Sequence, residues 1–281
     1  MKHILIPTDF SKNADHAISY ALNIFKCERA HFYFVHAYAD EVYGPYHNLD
    51  NDTFDKQKKI IADVSGNKLN MLVTDIQTKT HNPLHKYEAI SSFESLVDAI
   101  NNFANSKNID LIIMGTKGKT ASSKITFGSN TVQVFKYVKC PVLAVPDQYS
   151  YNQPKKILFP SNYMIPYKRR ELKLLDILAG EFKAEVRSLY ISDFDDLSLR
   201  QLDNKKFLEE SLPHARLSFV RTGVDNRATA IMTYIKENDM DLLVMVNSRH
   251  SFLEDMLYKS TIDEIGLSPT IPFLVMQNLP R

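Results

Sequence analysis

The residues of this sequence best suited to chemistry are a set of glycines at fixed spacing. Met114-Gly115-Thr116-Lys117-Gly118 is followed, with nine residues between, by Gly128-Ser129-Asn130. The aliphatic run from Leu111 to Met114 comes just before. A helical pattern with Val132, Phe135 and Val138 comes just after. Glycine lets a backbone approach a ligand closely and tolerates positive φ. A Gly-Ser pair at a helix start offers N–H groups, a hydroxyl and the positive end of the helix dipole, which together suit phosphate oxygens. Lys117, Lys119 and Lys124 add positive charge, and the stretch between Gly118 and Gly128 is long enough to fold over phosphates. The pattern is neither GxxxxGK[ST] nor GxGxxG. A glycine turn followed by an ordinary capped helix is the simpler structural account. The upstream strand, the second glycine group and the downstream helix together favour phosphate binding over it.

Other chemistry finds less support. The nine histidines are scattered. His81 and His85 flank Pro83, which keeps one helix face from presenting both as metal ligands. His36 is expected on the opposite side of its strand from Val35, with core packing or a hydrogen bond as its role. No GxSxG, HExxH or kinase-like set occurs, so no catalytic residue and no metal site is assigned. Cys27 and Cys140 lie outside any ligand spacing and read as reduced thiols of an intracellular, cytoplasmic protein. Of the 281 residues 44% are hydrophobic, enough for packed cores, and the net charge is +1. Near-neutrality removes the electrostatic reason to expect nucleic-acid or membrane binding. No apolar run approaches the ~20 residues that cross a bilayer. The opening Met1-Lys2-His3 leads straight into a strand-like run, so no signal peptide is expected.

The elements that must position the glycines form an internal repeat. Ile4-Leu5-Ile6-Pro7-Thr8-Asp9 is echoed by Ile157-Leu158-Phe159-Pro160-Ser161-Asn162. Asp110-Leu111-Ile112-Ile113-Met114 is echoed by Asp241-Leu242-Leu243-Val244-Met245, and Cys140-Pro141-Val142-Leu143-Ala144-Val145 by Ile271-Pro272-Phe273-Leu274-Val275-Met276. The first pair stands 153 positions apart and the second 131, so the first half carries 22 more residues. Ala30-His31-Phe32 still matches Ala184-Glu185-Val186 near the larger offset. The excess therefore lies between about 40 and 90, read as a long connection plus a helix over roughly 53–72. The two halves are placed at 1–148 and 154–281, joined by a polar segment ending at Pro154. Short aliphatic runs read as buried parallel strands. Between them, Ala14, Ala17, Ile18, Ala21, Leu22 and Phe25 mark one helix face with Ser11 as N-cap. Phe93, Leu96, Val97, Ile100, Phe103 and Ala104 mark another. The implied fold class is α/β, two tandem doubly wound open parallel-sheet domains. Ligands of such sheets bind at strand carboxyl ends where the strand order reverses.

The G-x2-G-x9-G-[ST] pattern after the fourth strand resembles the ATP-binding signature of the universal stress protein family. The opening Ile4-Leu5-Ile6-Pro7-Thr8-Asp9-Phe10-Ser11 and the closing Cys140-Pro141-Val142-Leu143-Ala144-Val145-Pro146 resemble that family too. The match spans essentially the first half and, more weakly, the second. The resemblance implies an adenine-nucleotide-binding, Rossmann-like fold. It implies that Asp9 contacts the adenine or ribose side, with Pro7 and Thr8 beside it, and that Val35 meets the adenine through its backbone. Met114, Gly115 and Gly118 then line the ribose and α-phosphate, and Gly128, Ser129 and Asn130 hold the outer phosphates. Asp9 is equally explained as a carboxylate at a helix N-terminus, and the two roles are compatible. The implied ligand is ATP, ADP or AMP, with Mg²⁺ through the phosphates.

The second half keeps the spacing and loses the glycines. Val246-Asn247-Ser248-Arg249 and, after nine residues, Lys259-Ser260-Thr261 stand in their place, and Asn162 replaces Asp9. Side chains there would occupy the phosphate and ribose positions and resist any positive φ. Members of the resembled family pair as dimers through the last strand of the sheet. A tandem chain can make that pairing internally as a pseudo-dimer, burying an edge strand at an effective concentration near millimolar. The expectation is thus an ATP-binding regulatory protein of the stress response, with the nucleotide in the first half and the second half as structural partner. Alternatives are a slow ATPase, or an interaction module that needs no nucleotide. A homodimer and an unidentified protein partner remain open.

Overall fold

The computed structural model describes residues 1–118, 127–147, 149–194, 196–223, 226–248, 253, 267 and 269–277. In the first half β1 (Lys2–Pro7), α1 (Lys12–Ile24), β2 (Ala30–Ala37), α2 (Ala39–Tyr46), α3 (Asn51–Thr80), β3 (His85–Ser92), α4 (Leu96–Ser106), β4 (Leu111–Gly115), α5 (Ser129–Tyr137) and β5 (Val142–Val145) follow one another. The second half repeats the alternation with β6 (Lys156–Pro160), α6 (Arg169–Phe182), β7 (Glu185–Ile191), α7 (Leu199–Glu210), β8 (Arg216–Thr222), α8 (Arg227–Asn238), β9 (Leu242–Asn247) and β10 (Phe273–Gln277).

The ten strands among the described residues form one sheet in the order β3-β2-β1-β4-β5-β10-β9-β6-β7-β8. Each half is parallel throughout, with order 3-2-1-4-5 and its mirror. The halves join where β5 and β10 run antiparallel, Leu143 opposite Leu274. This is the internal pseudo-dimer that the family resemblance implied, and each half's last strand gives the other's an edge partner. In each half the strand order reverses once, between β1 and β4 and between β6 and β9.

Alternate strand residues feed two cores, one per sheet face, and both cores run across the seam. Ile4, Ile6, Phe32, Phe34, Leu143, Phe159 and Leu274 lie on the face covered by α1, α3 and α6. Leu5, Val35, Ile112, Val142, Leu158 and Phe273 lie on the face covered by α4, α5 and α8. Strands buried on both faces need continuous apolar runs, which is why the runs were legible.

The repeat reaches individual hydrogen bonds. Thr8 N–H donates to the Val35 carbonyl as Ser161 N–H does to Leu189, both at 2.9 Å, and Asp110 N–H donates to His3 as Asp241 N–H does to Lys156, again both at 2.9 Å. Phe10 and Tyr163 share a left-handed backbone (φ 59° and 54°), and so do Asn108 and Asp239 (49° and 50°). These unfavourable conformations recur at equivalent turns because the same strand-to-helix and helix-to-strand corners demand them.

The 40–90 excess departs from its sequence reading. It holds two helices, α2 and α3, and α3 extends to Thr80 rather than to about 72. The Asp50 side chain accepts from Thr53 N–H to start α3. Leu69 is buried within the expected span, and Ile76 continues that buried side beyond its end. It stops at His81 (φ 22°), two residues before Pro83.

Candidate functional site

A cleft opens at the carboxyl ends of β1, β2 and β4, at the reversal of strand order. It offers about 750 Å³, part of it open to solvent. Pro7, Thr8 and Asp9 reach it from β1, and Met114, Gly115, Lys117 and Gly118 from β4. His36 and Ala37 reach it from β2, Asp40 and Glu41 from α2, Leu96 from α4, and Asn130 and Thr131 from α5. Chain topology alone brings these residues together, because every strand of a parallel half points its carboxyl end the same way.

The turn after β1 is fixed by its own side chains. Phe10 N–H donates to Thr8 Oγ1 at 3.0 Å and Ser11 N–H to Asp9 Oδ1 at 3.0 Å. Ser11 Oγ then caps α1 by accepting from Ala14 N–H at 3.2 Å, as expected of an N-cap serine. Asp9 therefore serves the start of α1 and faces the cleft at once. Behind it, burial and then the Asp9 and Asp75 carboxylates push Asp15 above the usual carboxylate range.

The glycine segment forms a closed base. Gly128 N–H donates to the Thr116 carbonyl at 2.8 Å. Thr131 Oγ1 donates to the carbonyls of Gly115 and Thr116 at 3.2 and 3.1 Å. A Cβ built on Gly128 would lie 3.7 Å from Gly118 N, so the two glycines face each other across the loop ends. Gly128 is the N-cap of α5 and brings no side-chain cap. The first-turn N–H groups of a helix have no intrahelical partner, and here Asn130 and Thr131 of that turn line the cleft. Residues 119–126, with Lys119 and Lys124, lie outside the described residues.

Positive φ is not what this segment requires: φ at Gly128 is −66°, and Gly115 and Gly118 also avoid the left-handed region. Close approach is the reason for the glycines. A Cβ on Gly118 would meet Asp9 Oδ2 at 3.0 Å, and one on Gly115 would meet the Asn13 carbonyl oxygen at 3.0 Å. The latter neighbour is backbone of α1 and cannot rotate away. Gly115→Ala is therefore expected to cost about 1–3 kcal/mol of overpacking, read by denaturant unfolding. A loss below about 0.5 kcal/mol would show that α1 yields.

Of the residues singled out from sequence, Pro7, Thr8, Asp9, Met114, Gly115, Gly118 and Asn130 line the cleft. Gly128 and Ser129, at the start of α5, do not line it. Val35 does not line it. Its side chain is fully buried and its carbonyl accepts from Thr8 N–H. His36 and Ala37, further along the same strand, are the β2 residues at the cleft. His36, Ala37, Asp40, Glu41, Leu96 and Thr131 were not singled out for the site. The end of β2, next to the reversal, was the signal that could have found the first four. His36 is buried, with Nδ1 at 2.9 Å from Ser65 Oγ and Nε2 at 3.3 Å from Glu41 Oε1. The cleft thus has carboxylates at its β2 side and, at its glycine side, a lysine and a helix N-terminus.

The universal stress protein family model matches residues 1–146. This chain belongs to the universal stress protein family. A universal stress protein of Methanocaldococcus jannaschii is 31% identical over 159 residues, which are 55% of this chain and 84% of that one. The fold of a universal stress protein from Archaeoglobus fulgidus superimposes over 99% of this chain and 98% of its own, with TM-score 0.69 at 18% identity. Likeness over that extent shows that both halves carry the fold of that protein.

Among the described residues, the second half of this universal stress protein shows no such cleft at its own reversal. The equivalent space, between Pro160, Ser161 and Asn162 on one side and Met245 and Val246 on the other, measures about 240 Å³. Ile165, Tyr167 and Leu253 also line it. Tyr167 Oη lies 3.1 Å from Ser161 Oγ, and Tyr163 Oη lies 2.9 Å from Ser188 Oγ. Burial pushes both phenols up to about 12. Val246 sits where Gly115 sits in the first half. Arg249, Lys259, Ser260 and Thr261 lie outside the described residues.

Proposed function

We propose that this universal stress protein is a regulatory protein that binds an adenine nucleotide in its first half, ATP foremost, with Mg²⁺ arriving on the phosphates. The observation that carries the reading is one contrast. At the β1/β4 reversal an open cleft runs from Ala37 and Asp9 to the bare N-terminus of α5, while at the β6/β9 reversal the described residues, among them tyrosine, isoleucine and leucine, line a much smaller space. In this reading the base and ribose lie between Asp9, Ala37 and Met114, and the phosphates lie against Gly118 and the first turn of α5. That turn supplies N–H donors and the positive dipole end. The two units divide at 148–154, and the second serves as a built-in dimer partner. The protein acts in the cytoplasm in a stress response, through a protein partner that reads the nucleotide state.

The test is thermal unfolding with and without ATP–Mg²⁺, on the native chain and on a Gly118→Val, Gly128→Lys double variant. A ligand at 100 times its Kd adds about 2.7 kcal/mol. A rise confined to the native chain is expected. No rise in the native chain overturns the proposal.

A further inference from the structure

The far end of the phosphate-facing helix is held by the other half of the chain. The Phe135 carbonyl belongs to the last turn of α5, where carbonyls lack intrahelical partners. The N–H four residues on, that of Lys139, donates instead to Asn101 Oδ1 at 3.1 Å. Two side-chain amides take its place. Asn247 Nδ2, at the end of β9, and Gln277 Nε2, at the end of β10, both donate to the Phe135 oxygen at 2.9 Å. Asn247 Nδ2 also donates to Gln277 Oε1 at 3.1 Å, which orients the pair. At the near end, Phe127, one residue before Gly128, packs against Phe135 and Phe273 with ring centroids 5.4 and 5.9 Å apart. Both ends of α5 therefore bear on β9 and β10.

Asn247 has a telling position. It occupies the place of Thr116, whose carbonyl closes the glycine segment in the first half. In the second half, where the equivalent space is much smaller, that position points an amide across the seam. We infer that Asn247 and Gln277 are positioning residues for the nucleotide site of the first half and act through α5. The inference rests on the nucleotide reading above. Its physical basis is that α5 has nine residues, a rod of little over two turns. Displacing its carboxyl end displaces its N–H groups too, and those donors bond well only within about 2.7–3.2 Å of an acceptor. The degenerate half is on this account a part of the site, beyond its cover of an edge strand.

The experiment compares the native chain with Gln277→Glu, Asn247→Ala and Ser188→Ala, titrated with ATP–Mg²⁺ by calorimetry. Gln277→Glu keeps the shape and turns a donor towards the carbonyl into a charged acceptor. It should weaken binding about tenfold at pH 8. At pH 5 the carboxyl, raised because it is part-buried and faces the Phe135 carbonyl oxygen, protonates and donates again, so its Kd should return to within about twofold of the native value at that pH. A merely structural defect has no reason to recover on acidification. Ser188→Ala removes the Tyr163 hydroxyl's partner elsewhere in the second half and should leave Kd unchanged. Amide hydrogen exchange at residues 129–131 without nucleotide should speed up in Gln277→Glu and in Asn247→Ala but stay as native in Ser188→Ala. Native-like affinity in both amide variants overturns the inference while leaving the nucleotide reading standing. If the native chain binds no nucleotide, that reading falls. The exchange rates alone then decide whether the second half holds α5, and unchanged rates overturn that too.

Discussion

Phe135→Ala is expected to lower the unfolding free energy of the chain by about 3–5 kcal/mol, the range for truncating a buried phenylalanine. The ring is fully buried. It stands edge-on to Phe127 at 5.4 Å and to Phe273 at 5.4 Å, with interplanar angles of 76° and 74°. Edge-to-face pairs add about 0.5–1.5 kcal/mol each to simple burial, and alanine forfeits both. The neighbourhood collapses poorly because Val142 and Phe273, in the same core, sit on a sheet that is buried on both faces. Denaturant unfolding reads the loss directly. Phe135→Leu keeps most of the volume and should cost clearly less. A cost below about 1 kcal/mol for the alanine variant would mean that the seam between the halves is loosely packed. The pseudo-dimer would then rest on the β5/β10 ladder alone.

That ring also shows where sequence reading succeeded and where it ran out. Phe135 was one of three residues marking a helix after the glycines, and α5 is there. What the helix packs against was not legible, because its partner Phe273 lies far along the chain. Only the antiparallel join of β5 to β10 brings the two together. The strands were legible because β1, β4, β5 and their counterparts need unbroken apolar runs, and two copies of one pattern reinforced each other. The corners at Phe10 and Tyr163 were not. Nothing in a phenylalanine or a tyrosine announces a left-handed backbone, and only the shared turn geometry imposes it.

Val35 and Ala37 mark a finer limit. The run from Ala30 to Ala37 alternates little, so its end could not be placed from residue types. The two residues share a face of the strand, being two apart. The hydrogen bond from Thr8 to the Val35 carbonyl keeps Val35 inside the ladder and leaves Ala37 at the rim. The glycines were found for a partly mistaken reason, since close approach and not positive φ accounts for them. In the second half the loss of glycine was plain in the sequence. What lines the space was not, because Ile165 and Tyr167 come from the turn after β6, a stretch whose polar and aromatic residues carry no period.

Gly128 gives the sharpest division between what the fold requires and what the ligand requires. Gly128→Ser is expected to leave the free chain as stable as before or a few tenths of a kcal/mol more so, since serine outranks glycine as an N-cap. The backbone there, φ −66° and ψ 159°, suits any residue. Among the described residues, the nearest atoms to a new Cβ would be 3.7 Å away. The serine hydroxyl would accept from the N–H of Asn130 or Thr131, the donors that the proposed site turns towards phosphate, and would project into the space above the helix start. Nucleotide affinity should therefore fall about a hundredfold. At ATP equal to 100 times the native Kd, the stabilisation of about 2.7 kcal/mol should shrink to about 0.4 kcal/mol. Gly115 cannot make this separation, because its substitution strains the contact with α1. Gly118 cannot either, because a side chain there presses on Asp9. If Gly128→Ser binds ATP as the native chain does, phosphate does not sit on the N-terminus of α5, and the glycine at that position needs another explanation. Stability gained with affinity lost would place the requirement for glycine in the ligand, since the fold itself has no need of it.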